Sequence, residues 1–598
     1  MSLRKSWIVL LFFLTCAVPL LSAKQLTADQ EVYHHDTAND TLLSEDLAQQ
    51  LRRRFPKNGF TRWLLNCLLI RTQALQTELT TASYLPYEGK TIGLIRLDKQ
   101  GVFRTEAFGW KHLAGIVFTT TKDWVILDQL SFVSGDSIVP QQFIDSQERL
   151  RNLAHIKDAQ ITVQEHRSSR DAIDVHITTK DRFPIRLSLD IDKPSLLINH
   201  NNLFGWGHVW ENRFLYDQGL GYSITYRVPN IHNSGLTGEL QYLNAPKKGV
   251  KRVCVFRNFT DQTAYAGNVE ISKTRQIKRR ILDGNTSPQP TSFSFYRQRV
   301  WLGTAINIGP SDDRHQGRFF LTGKVAHQHF AKRPEVTKNT NRYFHHYVFG
   351  TGSLGFSNKK NYEDQLVYGV GSVENIPYGS KVNLIGGYQF GEFVNRPYLR
   401  LDIARGGRIQ QLGHLYGAVN VGGFFHEKSV EQGILQLQLA YFTPILGIGN
   451  QWIRQFIKLT YLGGHNMFTG ELISTNASKA PACLRDPFLG GTQRLHLGLE
   501  TVLLTPMHFA GCRLAALGFV EGVRLEDAQG KVLQSCFCKA LGMGFRCAHP
   551  RFSFGTLQVK VGYAPITQNT TLTIDLGIAN SSDNLDIDEA GVIPFREY

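Results

Sequence analysis

From residue 182 to about residue 580 the sequence repeats one signature, an apolar side chain at every second position with polar ones between. Leu187 and Leu189 alternate with Arg186, Ser188 and Asp190, and Tyr222, Ile224, Tyr226 and Val228 alternate with Ser223, Thr225 and Arg227. The same period returns at Leu435, Leu437, Leu439 and Tyr441, at Leu495, Leu497 and Leu499, at Leu557, Val559 and Val561, and at Leu572, Ile574 and Leu576. Successive side chains of an extended strand point to opposite faces, so each segment has one apolar face. The opposite face of the last three segments holds Arg494, His496, Glu500, Gln558, Lys560 and Asp575, which a water-filled interior accepts and a packed sandwich core does not. A soluble β-sandwich also alternates, but it has no need of so many consecutive strands without a domain break.

No stretch of about 18 residues is apolar enough for a spanning helix. In hydrocarbon every backbone amide must be paired, which leaves a closed sheet. The expectation is therefore a transmembrane antiparallel β-barrel. At about 25 residues per strand with its loop, it would have about 16 strands. A mean hydropathy of -0.21 fits a wall of which half faces water. The 37 Phe and 21 Tyr supply candidates for interfacial girdles.

The N-terminus explains how such a chain reaches a membrane. Arg4 and Lys5 precede an apolar stretch over residues 7–16, and Leu21-Ser22-Ala23 offers small residues for cleavage before Lys24, so residues 1–23 read as a secretory signal peptide. A lipoprotein reading at Cys16 lacks the small residue preferred before the cysteine. Residues 24–86 are polar, then carry Trp63, Leu64, Leu65, Leu68, Leu69, Ile70 and Leu75 at the spacing of one amphipathic helix. Residues 87–181 read as a small mixed domain. A strand is expected over residues 91–97, an apolar stretch over residues 125–133 reaches a Gly135-Asp136 turn, and Pro140 opens a helix. Phe143, Ile144, Leu150 and Leu153 form the apolar side of that helix, with Asp145, Gln147, Glu148 and Arg151 opposite. Two alternating strands follow. Such a unit suits edge pairing with other chains.

Removing Arg4 and Lys5 lowers the formal net charge from +16 to +14. The excess favours anionic surfaces, and an exported chain is not expected to meet nucleic acid. Lys247, Lys248, Lys251 and Arg252, then Lys273, Arg275, Lys278, Arg279 and Arg280, concentrate much of it, either as solvated loops or as contacts to lipid phosphate. Seven cysteines remain after cleavage: Cys67, Cys254, Cys483, Cys512, Cys536, Cys538 and Cys547. An odd number cannot all pair internally. Cys536, Cys538, Cys547 and His549 leave open a local disulfide, a zinc site or simple packing. Gly350-Thr351-Gly352-Ser353-Leu354-Gly355 has dinucleotide-turn spacing but no helix after it, so strand curvature explains it better than a cofactor. His345-His346 and His34-His35 are expected to be exposed. No catalytic set or cofactor site is visible by spacing, and no enzyme is expected.

Tyr87-Glu88-Gly89-Lys90-Thr91-Ile92, Leu130-Ser131-Phe132-Val133-Ser134-Gly135-Asp136, Ser146-Gln147-Glu148-Arg149-Leu150-Arg151 and Ile156-Lys157-Asp158-Ala159 resemble a POTRA domain, the module that precedes the barrel in BamA/TamA-type outer-membrane assembly proteins. Asn202-Leu203-Phe204-Gly205-Trp206-Gly207, Ile376-Pro377-Tyr378-Gly379 and Gly542-Met543-Gly544-Phe545-Arg546 resemble the same family's barrel over residues 182–580. The resemblance implies a 16-stranded barrel whose first and last strands meet at a weak seam open to client strands. It implies unfolded outer-membrane or secreted polypeptides as clients, outer-membrane lipid and lipopolysaccharide around the barrel, and accessory periplasmic or lipoprotein partners. It also implies an inward loop with an Arg-Gly-aromatic tip, for which this chain has Leu484, Arg485, Asp486, Pro487 and Phe488, with Asp486 where the glycine belongs. Arg485 is the preferred site residue, with Gly135, Asp136, Arg149 and Leu150 in the small domain and Gly542, Gly544 and Arg546 late in the barrel. A single POTRA-like unit and the acidic tail over residues 581–598 favour a specialised role. A two-partner-type secretion pore and a passive diffusion channel stay open as alternatives.

Overall fold

Residues 84–101 and, with interruptions mostly at loops, residues 119–577 are described in this computed structural model. The signal segment, residues 24–83, the tail, both His34-His35 and Cys67, and the stretch containing Cys483, Leu484, Arg485, Asp486 and Phe488 lie outside the described residues.

The small domain runs β1 (Thr91–Gln100), α1 (Asp123–Leu127), α2 (Pro140–Asn152), β2 (Ile156–Glu165) and β3 (Ala172–Asp181). Its sheet order is β1-β3-β2, with β1 parallel and β2 antiparallel to the central β3. The alternation read from the sequence puts Ile161, Ile173, Val175 and Ile177 in the core beside Phe143 and Leu150 of α2, and Phe132 stacks on Phe143 at 4.3 Å. Two expectations change. The stretch expected as simply apolar begins with helix α1, which buries Val125 and Ile126. Gln147, placed by helical spacing on the polar side, is buried because its Oε1 accepts the Ile161 N–H at 2.9 Å, so a side-chain amide ties α2 to β2. Tyr84 also belongs to this core: its hydroxyl donates to the Ile161 carbonyl at 2.8 Å, and burial pushes its pKa up to about 12.

The wall of the barrel begins with β4 (Ile185–Asp190), β5 (Ser195–Leu203), β6 (His208–Tyr216), β7 (Leu220–Val228), β8 (Thr237–Asn244) and β9 (Lys248–Arg257). Longer strands follow: β10 (Tyr265–Arg280), β11 (Gln289–Ile308), β12 (Gly317–Lys332), β13 (Tyr347–Ser357), β14 (Lys360–Gln365), β15 (Val373–Gly391), β16 (Arg396–Ile409), β17 (Gly413–His426), β18 (Ser429–Phe442), β19 (Leu446–Ile448) and β20 (Gln451–His465). After a two-stranded outer ribbon, β21 (Ile473–Ser474) with β22 (Gly490–Gly491), the wall closes through β23 (Gln493–Phe509), β24 (Cys512–Glu526), β25 (Cys536–Ala548), β26 (Thr556–Ala564) and β27 (Asn569–Gly577). The ring is antiparallel and closed. Because β14 continues β13 along β15, and β19 continues β18 along β20, the 22 segments of the ring occupy 20 positions among the described residues. That is four more than the expected 16 or so. The estimate of about 25 residues per strand is too large for β4 to β9, which are only 6 to 10 residues long and joined by short turns.

The wall is inverted relative to a soluble protein. Leu302, Leu321, Val325, Leu354 and Met543 lie open on the outside, while Glu239, Glu270, Lys324, Asn383, Arg396 and Arg454 are buried on the inside. Among the described residues no helix is long and apolar enough to cross a membrane. The strands supply the apolar belt instead, as the period-two pattern requires.

The small domain is clamped to the wall at the β5–β6 turn. The Thr121 N–H and hydroxyl donate to the Asp181 carboxylate at 2.9 and 2.8 Å, and Asn202 Nδ2 donates to Thr121 Oγ1 at 3.0 Å. Lys122 N–H donates to the Gly205 carbonyl at 2.9 Å, and Arg182 N–H to the His155 carbonyl at 2.7 Å. Gly205 and Gly207 have φ of +77° and +71°, and a Cβ there would lie 2.4 Å from the Thr120 carbonyl oxygen and 2.8 Å from the His155 ring. The Asn-Leu-Phe-Gly-Trp-Gly motif is therefore a docking turn that only small residues permit.

Burial holds His155 down to a pKa of about 4, with Arg182 acting in the same direction. Its neutral form is the folded form, so its contribution is complete above pH 6.5 and is lost as the pH falls toward 4, by up to about 3 kcal/mol. Asp181, raised by burial against the opposing Thr121 hydrogen bonds and Lys99, acts in the opposite sense and favours the folded joint at the acid end. The hydrogen-exchange protection factor at the Thr121–Asp181 joint, corrected for the intrinsic pH dependence of exchange, should fall between pH 6.5 and 5. A His155→Asn variant should flatten that profile.

Candidate functional site

Strand β27 pairs with β26 along its whole length, from Asn569 opposite Ala564 to Gly577 opposite Thr556. Its register with β4 consists of Thr573 opposite Asp190 and Ile574 opposite Leu189. Among the described residues the ring therefore closes through two register positions, fewer than at any other join of two full strands in the wall. Strand β4 has six residues, Ile185–Asp190, directly after Pro184, and all six pair with β5 on its other side.

Beside this seam the lumen carries a built cluster. Arg546 on β25 donates to Glu500 Oε1 at 2.6 Å and to Gln558 at 2.8 Å, and Lys560 on β26 reaches Glu500 Oε2 at 2.9 Å. The predicted residues Gly542 and Gly544 share the Arg546 face. A Cβ at either would lie 2.3 or 2.1 Å from a carbonyl oxygen of β26, and the Phe519 ring lies against Gly542. The late motif is thus a close-packed inner row ending in an ion pair. His496 adds a contact to Glu521 at 3.0 Å, so the alternation correctly identified an inner polar face.

Residues 358–367, 370 and 373–379 lie in the lumen. This hairpin, formed by β14 and the first part of β15, carries an apolar tip: Val367 and Ile376 pack on Ala404, Tyr416 and Phe442, while Leu366 and Val370 reach Val502, Leu517 and Phe519 on the β23–β24 side. Asp364 accepts from Arg454 at 2.8 Å, with Arg454 1% exposed, and the Tyr362 hydroxyl meets His414 Nδ1 at 3.0 Å. At the other end of the barrel, Arg342 and Arg396 converge on Glu431 at 2.8 Å each, and Phe468 stacks beneath both guanidinium groups. Both ends of the lumen are therefore occupied by inward-folded chain.

The predicted residues separate into three groups. Gly542, Gly544 and Arg546 come together with Glu500. Gly135 and Asp136 form the turn that pairs with Ile92 of β1, Leu150 is core and Arg149 contacts Ser146, so these four support the small domain. Leu484, Arg485, Asp486 and Phe488 lie outside the described residues. Gly350, Gly352 and Gly355 sit within β13, a strand. His345 and His346 are half-buried rather than exposed, because His345 packs on Phe393 and His346 stacks on His329 at 4.2 Å. Cys512 and Cys547 share a thiol hydrogen bond, and Cys254 is buried. Spacing missed the lumen hairpin, although Leu366-Val367 in a turn between strands was an available signal, since an apolar turn needs something to pack on.

Neither a family model nor a curated protein matches the sequence. Solved structures do. BamA from Haemophilus ducreyi lacking POTRA domains 1–3 aligns over 81% of this chain and 83% of its own, at 12% identity and a TM-score of 0.38. CdiB from Acinetobacter baumannii aligns over 89% and 98% at 12% identity and 0.36, and CdiB from Escherichia coli over 88% and 96% at 10% identity and 0.34.

Arg454→Met should remove the ion pair to Asp364 and loosen the hairpin, raising single-channel conductance in planar bilayers, while Arg405→Met on the outer face should leave conductance unchanged. Glu500→Gln should lower the thermal stability of the folded barrel by about 1–3 kcal/mol, since it leaves Arg546 and Lys560 facing each other.

Proposed function

We propose that this chain is a non-enzymatic outer-membrane assembly or translocation factor whose client strands add to the β27–β4 seam. The observation that carries the reading is the two-position closure between these strands. In hydrocarbon an unpaired strand edge costs several kcal/mol per group, so edges held so weakly gain by pairing with an arriving strand. The small domain, on the periplasmic side in this reading, has β1 and β2 at the edges of its sheet, covered at Ile92 by the Gly135-Asp136 turn and at Ile161 by Gln147 and Tyr84, and joins the wall next to β4, where a captured segment would be delivered. Its clients are unfolded outer-membrane or secreted polypeptides, and accessory periplasmic proteins or lipoproteins are its expected helpers.

The occupied lumen supports gated passage over a passive diffusion channel, which requires steady large conductance. A disulfide lock tests the seam. Asp190→Cys with Thr573→Cys, oxidised in cells, should reduce the abundance of client proteins at least tenfold, with recovery on reduction. A locked barrel that sustains normal client levels would refute the reading. Crosslinking through the small domain then separates many clients, as an assembly factor predicts, from the single dedicated client of a secretion pore.

A further inference from the structure

Strand register puts cations and aromatic rings at one height on the outside of the wall. Tyr242 of β8 lies opposite Lys251 of β9, Lys251 opposite Lys273 of β10, Lys273 opposite Tyr296 of β11, and Tyr296 opposite His329 of β12. Arg275 stands in the next row toward the end of the barrel remote from the small domain, opposite Gly249 and Ser294. Toward the small domain the same face turns apolar, with Leu240, Val253 and Ile271, then Val255, Val269, Val300 and Val325, all exposed. The cationic rows therefore sit at the upper border of the apolar belt.

Electrostatics makes this arrangement unfavourable by itself. Lys251 and Lys273 are direct cross-strand neighbours of like charge, which repel. Cations on the lipid face of a barrel are costly, less so near the interface. Strands β8 to β12 contain two acidic residues, Glu239 and Glu270, and both are buried on the lumen side against Arg227, Arg252 and Arg299. Nearby Asp217 pairs with Lys247. No carboxylate of these strands faces the outer rows, and Arg275 has the Ala245 carbonyl as an acceptor at 3.1 Å, which leaves charge on the rows for an anion to balance. The Lys273 ammonium lies 4.8 Å from the centre of the Tyr296 ring and the Lys251 ammonium 5.7 Å from that of Tyr242, so tyrosines at headgroup depth flank the cations.

We propose that Lys251, Lys273 and Arg275 form a docking site for the phosphates of a bisphosphorylated membrane glycolipid in the leaflet remote from the small domain. Three cations within two adjacent rows match a headgroup with more than one phosphate, and the apolar rows below receive its acyl chains. The inference rests on the barrel lying in a membrane and not on what passes its seam, so failure of the seam lock leaves it standing.

Native mass spectrometry of the purified full chain in detergent tests it, with bisphosphoryl lipid A, monophosphoryl lipid A, phosphatidylglycerol and inorganic phosphate as probes. Bisphosphoryl lipid A should bind most tightly. The triple variant Lys251→Gln, Lys273→Gln, Arg275→Gln should lose roughly a hundredfold in affinity, while Lys338→Gln with Lys428→Gln, exposed loop lysines, should lose none. Equal binding by parent and triple variant overturns the proposal, as does phosphatidylglycerol binding as tightly as bisphosphoryl lipid A. Displacement of the lipid by equimolar inorganic phosphate would also overturn it, because the site would then recognise free anion. If the triple variant does not fold, the preference of the unaltered protein between bis- and monophosphoryl lipid A decides the question alone.

Discussion

A sheet that crosses hydrocarbon must return to its own first strand, because each edge it leaves open exposes amides that lipid cannot satisfy. Here that requirement is met along almost the whole circumference and barely met at one place. Long ladders run through β10 to β20 and through β23 to β27, whereas among the described residues β27 meets β4 around Ile574 and Leu189. The location of this weak join organises the neighbouring structure. The small domain feeds directly into β4 through Arg182 and Pro184, and it grips the β5–β6 turn through Thr121, Asn202 and Gly205. A displacement of that domain is thus applied to the first strands of the ring, on one side of the seam. The Glu500, Arg546 and Lys560 cluster holds the closing strands on the other side.

The interior shows how a barrel of this width is kept from being an empty pore. Ion pairs line the wall in local groups, Glu239 with Arg227 and Arg252, Glu270 with Arg299, and Glu431 with Arg342 and Arg396. The apolar tip of residues 358–379 is different in kind, since Leu366 and Val370 can be buried only by packing on Val502, Leu517 and Phe519. That element is held by hydrophobic contact together with the Asp364–Arg454 pair and the Tyr362–His414 hydrogen bond. The inner face combines a polar lining with an apolar inward-folded hairpin.

Much of this was legible in local pattern. Alternation identified which residues face inward, and His496, Glu500, Gln558 and Lys560 are found there in mutual or neighbouring contacts. The glycines of the late motif were legible as a group, although the reason for them, the approach of β26 and the Phe519 ring, involves residues distant in sequence. Gln147 and the histidine pair at 345 and 346 were misread because a polar side chain reaches a buried position when a partner waits there, Ile161 N–H in one case and the His329 ring in the other. The strand number was underestimated because strand length was taken as uniform, while β4 to β9 are short.

The sequence by itself determined the class of structure, since a period of two sustained over some 400 residues with no apolar helix has one solution in a bilayer. The change from mixed to purely alternating pattern near residue 182 is likewise a property of the sequence. Only the tertiary structure decided where the ring closes weakly, which segment turns into the lumen, and which cations of different strands share a height on the outer face. Those properties depend on register, and register is a relation between strands that no single strand encodes.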